Sequence, residues 1–232
     1  MKLLLVALMF AQSAAVGPAR IRNRTVTLPD VGTITYGIST PGDIDVAKPR
    51  PLVVALHPGG ERVAFYGSRF MAQVVGPALP ELGAIMIAPD CPTRAWGDPV
   101  SDRAVMALID AVRHEFTIDP KRILVTGFSM GGRGTWFMAS HHADLFTAAI
   151  PMAAPIGDEP VDRLGTIPTY IIHSTDDQVV PFGPAEKNAR QLETLGRTVK
   201  FESLSGLGHY DMGGYVDSLR RASRWINERW GK

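Results

Sequence analysis

The stretch Ile123-Leu124-Val125-Thr126-Gly127-Phe128-Ser129-Met130-Gly131-Gly132 decides the fold. A short β-favouring run meets a glycine, then a serine two positions on and another glycine two positions later, and a helical pattern follows. A strand that turns this tightly into a helix leaves the serine on a sharp, strained turn with its hydroxyl exposed. Small residues on either side let neighbouring chains pass close by. The helix that begins there aims backbone N–H groups at negative charge developing beside it. A serine hydroxyl is a weak nucleophile until it is exposed beside a base. Ser129 is therefore read as the nucleophile, and the backbone N–H of Met130 as one oxyanion donor.

Working outward, apolar runs alternate with helical patterns. Thr25–Leu28 and Thr33–Ser39 read as a hairpin joined at Pro29-Asp30-Val31-Gly32. Pro51–Leu56, Ala84–Ala88, Ile123–Thr126, Ala148–Met152, Thr169–Ile172 and Val199–Ser203 are near-continuous apolar runs, as expected of strands covered on both faces. Helices are expected over Asp102–Phe116, after Ser129, over Pro184–Leu195 and over Tyr215–Trp230, the first and last with apolar residues at one-face spacing. This pattern predicts an α/β domain with an eight-stranded, mostly parallel sheet and helices on both faces. Asp43–Arg50 reads as a loop. The loop-like Ala154–Pro168 is short and leaves no room for a sizeable cap.

The nucleophile needs a base, and six histidines are available. His209, in Gly206-Leu207-Gly208-His209 between the final strand and the final helix, lies where such sheets carry their catalytic loops. The base in turn needs a carboxylate to fix its tautomer. Two adjacent aspartates follow the strand ending at Ile172, in His173-Ser174-Thr175-Asp176-Asp177-Gln178-Val179-Val180-Pro181. Asp177 is read as the acid and Asp176 as a residue that hydrogen-bonds within the loop. The second oxyanion donor is sought in Leu56-His57-Pro58-Gly59-Gly60. Pro58 has no N–H to give, so Gly59 is the choice and Gly60 the reserve.

These motifs together resemble the cap-less α/β-hydrolases of the predicted-peptidase, phospholipase/carboxylesterase and dienelactone-hydrolase-like group, relatives of secreted feruloyl, acetylxylan and polyhydroxybutyrate-type esterases. The resemblance rests on Leu56–Arg62, on Ala88-Pro89-Asp90-Cys91-Pro92 with Trp96, on Gly127–Trp136, on His173–Pro181 and on Gly206–His209. It implies the α/β-hydrolase fold, a triad in the chain order Ser129, Asp177, His209, and a carboxylic-ester activity. The sequence departs from the group's pattern at Pro58 and Ser174, where relatives carry glycine, and at Tyr210-Asp211, where they often carry Asn and Trp. Trp96 and Tyr210 are the residues considered for substrate binding, with packing in a surface loop as the competing reading of Trp96.

The remaining features bound the function. The chain has 232 residues, 45% hydrophobic and 20% charged, with a formal net charge of +1. No basic run supports nucleic-acid binding or a polybasic membrane anchor. Neither a His-Glu-x-x-His motif nor a cysteine cluster argues for a metal, and the chemistry requires no cofactor. Lys2, the apolar run Leu3–Ala11 and Ser13-Ala14-Ala15 form a secretory signal cut after Ala15 or after Ala19. One hydrolase domain over residues 20–232 would follow, secreted or periplasmic, without stable membrane insertion. The single cysteine, Cys91, reads as a buried structural thiol, and export without disulfides points to a bacterium. The partner expected is a small-molecule or polymeric ester. Two other readings stand beside the esterase: a serine peptidase of the prolyl-oligopeptidase type, which shares the triad order, and a non-catalytic polymer- or carbohydrate-binding protein on the same scaffold.

Overall fold

A computed structural model describes residues 20–42, 44–157 and 159–231. The signal sequence read over residues 1–15 or 1–19 lies outside them. Strands β1 (Arg20–Leu28) and β2 (Gly32–Thr40) form the expected hairpin, longer at both ends than the apolar residues alone indicate. β3 (Arg50–Leu56), β4 (Ile85–Pro89), β5 (Ile118–Phe128), β6 (Ala148–Met152), β7 (Thr169–Ser174) and β8 (Val199–Leu204) complete one sheet in the order β1-β2-β4-β3-β5-β6-β7-β8. β2 runs antiparallel to both of its neighbours, β1 and β4, and β3 through β8 are mutually parallel.

Strand β3 shows why the apolar runs are continuous. Leu52, Val54 and Leu56 enter the core on one face, while Val53 and Ala55 enter the core on the other. Side chains alternate across a sheet, so a strand with both faces covered has no polar position to spare. On the first face lie α3 (Pro99–Glu115), α4 (Met130–His141) and α5 (Phe182–Thr194), and on the second lie α1 (Tyr66–Phe70) and α6 (Val216–Trp230).

Two helices differ from the sequence expectation for physical reasons. α3 begins three residues before Asp102, because Asp98 caps it by accepting the Val100 N–H at 2.8 Å and Pro99 occupies its first turn. The segment between β3 and β4, where no helix was expected, holds α1, a π turn over Met71–Val75 and α2 (Gly76–Ala78). Its stripe Phe70, Met71, Val74, Val75, Ala78 is fully buried, but Gly67, Gly76 and Pro77 interrupt the pattern. Between β6 and β7 the described residues carry only a single 3-10 turn, Val161–Leu164, so no cap covers the C-terminal end of the sheet.

Candidate active site

Ser129 sits between β5 and α4 with φ 55° and ψ −113°. A non-glycine residue held there stores about 1–3 kcal/mol of strain. The neighbours show what holds it. A Cβ on Gly131 would overlap the carbonyl of Leu56, and one on Gly127 would come within 2.6 Å of the same oxygen. Helix α4 is thus pressed onto the end of β3, and the serine N–H is tied to the Met152 carbonyl at 2.9 Å. The side chain is left at the C-terminal edge of the sheet, half-buried.

His209 reaches it from the loop after β8. Its Nε2 accepts from the Ser129 hydroxyl at 2.8 Å, and its Nδ1–H donates to Asp177 Oδ2 at 2.7 Å. The other Asp177 oxygen accepts the N–H groups of Val179 and Val180 at 2.9 and 2.8 Å. Burial works to raise this carboxyl's pKa. The His209 hydrogen bond and the two amides outweigh it, so the net shift is downward and the acid stays ionised. Asp176 faces away, its carboxylate accepting the Gly206 N–H at 2.7 Å and tying the acid loop to the loop that carries His209. Of the two adjacent aspartates, the structure brings only Asp177 to the histidine.

Several supporting groups have no signature in the sequence. Tyr215 is fully buried; its hydroxyl oxygen accepts the Ser174 N–H at 3.1 Å, and its ring meets Phe128 edge-on. Burial pushes this phenol up to about 12, with the Asp177 charge acting the same way and the Ser174 amide opposing. His173, also fully buried, lies with Nε2 3.0 Å from the Val180 carbonyl and 3.5 Å from Asp177 Oδ2. Burial lowers its pKa, so the ring is neutral and donates Nε2–H. Asp211 accepts the Gly208 N–H at 2.8 Å and braces the turn at His209. His173, a titratable residue inside the fully buried strand β7, is the one of these that sequence pattern could have flagged. Tyr215 and Asp211 carry no such mark.

On the other side of Ser129, Gly59 adjoins Met130, a Cβ there meeting the methionine side chain at 3.7 Å. Gly60 packs instead against Tyr66, whose hydroxyl would lie 2.8 Å from a Cβ. A cleft of about 930 Å³ opens past this turn, bordered by Gly59, Gly60, Met130, Tyr66 and the β1–β2 hairpin. It lies on the β2–β4 side of the nucleophile, opposite His209. Trp96 does not line it. The indole is 1% exposed, donates Nε1–H to the His57 carbonyl at 3.0 Å and packs on Gly134 of α4, so its proposed substrate contact gives way to a brace under the turn. Tyr210 is 83% exposed beside the His209 ring. Among the described residues no three His, Cys, Asp or Glu side chains gather as a metal site.

An open parallel sheet with this strand order, a strained serine turn after β5 and histidine and aspartate loops after β8 and β7 define an α/β-hydrolase. The chain belongs to the dienelactone hydrolase family, whose model matches residues 88–212. It is similar to a solved thermostable esterase, with 28% identity and a TM-score of 0.74 over 90% of this chain and 62% of that one. It is 33% identical over 84 residues to the bifunctional acetylxylan esterase/xylanase XynS20E of Neocallimastix patriciarum, covering 35% of this chain and 12% of that protein. It is 26% identical over 165 residues to "Probable feruloyl esterase C" of Aspergillus niger, covering 63% of this chain and 56% of that protein. The chain thus spans about half, or less, of the length of these curated relatives.

Proposed function

We propose that this chain is a serine carboxylic-ester hydrolase working through an acyl-enzyme. One observation carries the reading: the continuous hydrogen-bonded line Ser129–His209–Asp177, at 2.8 and 2.7 Å, at the C-terminal edge of the sheet. His209 accepts the serine proton as Oγ attacks the ester carbonyl, and Asp177 supports the imidazolium. The amides of Met130 and Gly59 hold the oxyanion. His209 then returns the proton to the leaving alcohol, which departs on its side of the serine, while the acyl group extends toward the cleft beyond Gly59. Water, activated by the same histidine, releases the acid. Membership of a hydrolase family and similarity to proteins named as esterases support ester over amide substrates.

The open edge of the sheet suits small esters and the side groups of a polymer equally, because no cap limits the size of the alcohol. The N-terminal apolar run supports export of a mature domain beginning after Ala15 or Ala19, and among the described residues no helix is long and apolar enough to cross a membrane. The test is chemical. Purified protein should hydrolyse p-nitrophenyl acetate in the presence of a chelator and be labelled once by a fluorophosphonate. Ser129→Ala should fold and lose both properties, with the rate falling by several orders of magnitude. Labelling that survives the substitution would remove Ser129 from the mechanism.

A further inference from the structure

The turn that carries Gly59 is held in an unusual way: three consecutive carbonyls are each taken by a side chain. Trp96 Nε1–H donates to the His57 carbonyl at 3.0 Å, His57 itself contacts the Pro58 carbonyl at 2.7 Å, and the Tyr66 hydroxyl lies 3.4 Å from the Gly59 carbonyl. The tautomer of His57 follows from its other contact. The Cys91 backbone N–H, which can only donate, points at Nε2 at 2.9 Å. Nε2 is therefore the bare nitrogen, and Nδ1 carries the hydrogen and donates it to the Pro58 carbonyl. The ring is buried between Tyr66 and Trp96, with centroids 4.7 and 5.1 Å away, and burial lowers its pKa, so this neutral form persists at neutral pH.

A peptide unit is planar, and in the trans form its C=O and N–H point to opposite sides. Fixing the Pro58 carbonyl toward the buried imidazole fixes the Gly59 N–H the other way, toward the cleft and Met130. Among the described residues no acceptor takes that N–H. The Met130 N–H, in the first turn of α4, likewise has no partner within its own helix. Proline before this peptide has a locked φ and adds no competing donor. We propose that His57 is the positioning residue of the oxyanion site: it prevents rotation of the Pro58–Gly59 peptide and so selects Gly59, not Gly60, as the second donor. This rests on the Ser129 hydrolase reading.

Asparagine and glutamine separate the two contacts of the ring. Asparagine places an amide nitrogen near Nδ1 and can still hold the Pro58 carbonyl, whereas glutamine reaches the Nε2 position and can serve only Cys91. With p-nitrophenyl acetate, His57→Gln should lose about 10²–10³ in kcat, the effect of removing one oxyanion donor. KM should stay nearly constant, because the lost contact matters most in the transition state. His57→Asn should stay within about tenfold of wild type, since its donor is retained. Equal damage in both variants, or a kcat unchanged in His57→Gln, would overturn the assignment. Wild-type protein gives a second readout that does not depend on either variant folding. On binding phenylboronic acid at Ser129, the Gly59 amide proton should move downfield in ¹H–¹⁵N spectra and that of Gly60 should not. The reverse pattern would overturn the assignment while leaving the hydrolase reading intact. A wild type that neither turns over the ester nor binds the boronate would remove the reading beneath it.

Discussion

On the β7–β8 side of Ser129 the site is held by carboxylates. Asp177 takes His209 and two amides, Asp176 takes Gly206, and Asp211 takes Gly208. On the β3 side no carboxylate hydrogen-bonds to His57, Pro58, Gly59 or Gly60 among the described residues. There the turn is fixed by Trp96, Tyr66 and the neutral His57, by ring packing, and by the close seating of Gly131 on Leu56. The contrast has a chemical reason. In the proposed mechanism the acid–base half stabilises a positive imidazolium, so fixed negative charge helps it. The proposed oxyanion half would stabilise negative charge, and a carboxylate beside it would work against the amides.

The largest effect should come from breaking the charged half at its centre. Asp177→Asn leaves the fold but misdirects the imidazole, and should cost roughly 10³–10⁴ in rate near neutral pH. Asp176→Asn loses only a loop tie and should change the rate by about tenfold or less. Both are compared on one ester after circular dichroism shows each is folded. If Asp176→Asn were the crippled one, the acid loop would be misassigned by one residue.

Breaking the packed half should appear first as instability. Gly131→Ala drives a methyl group into the Leu56 carbonyl, a backbone atom with nowhere to go, and should cost about 3 kcal/mol or more in urea unfolding. A variant as stable as wild type would show that α4 is not pressed on β3 as described. Tyr215→Phe tests the charged half more gently. It leaves the buried Ser174 N–H without an acceptor, for a loss of about 1–2 kcal/mol in the same measurement.

The smallest effect is one the two halves share, since each contains a buried neutral histidine. His57 and His173 have folded pKa values below their ordinary 6.5, mainly through burial. The unfolded chain therefore binds more protons below pH 6.5, and the stability present above that pH is lost as pH falls toward the folded values. Each histidine contributes at most about 1.4 kcal/mol per pH unit in this window. The unfolding free energy should fall between about pH 6.5 and pH 5, and His57→Asn, which cannot titrate, should flatten the slope. An unchanged slope would mean that folding does not lower the His57 pKa.

The two halves also differ in how much of them could be read from sequence. The proposed nucleophile, acid and base, Ser129, Asp177 and His209, could be picked out because these roles take particular residue types in a fixed chain order on a sheet with legible apolar strands. The proposed oxyanion half rests on backbone N–H groups, which nearly every residue carries. Only the missing N–H of Pro58 narrowed the choice there. Trp96 stayed open between pocket contact and surface-loop packing because an aromatic in a Pro- and Asp-rich loop gives no sign of which way it turns. The helix at Tyr66 was hidden by its own glycines and proline, although its buried stripe has helical spacing. Tyr215 acts through a single hydroxyl at the start of a helix, a position that sequence cannot distinguish from ordinary core packing.

The central claim is that an acyl group passes through Ser129, and it can be observed directly. Protein mixed with p-nitrophenyl acetate and acid-quenched within the first turnover should carry one acetyl group. After trypsin, that mass should sit on the peptide Ile123–Arg133, which Arg122 and Arg133 bound and which contains Ser129 as its only serine. The acyl mass should accumulate in Asp177→Asn only as fast as that variant turns over, and should be absent in Ser129→Ala. Steady release of nitrophenol with no acetyl on this peptide, or with the acetyl on another residue, would contradict the account.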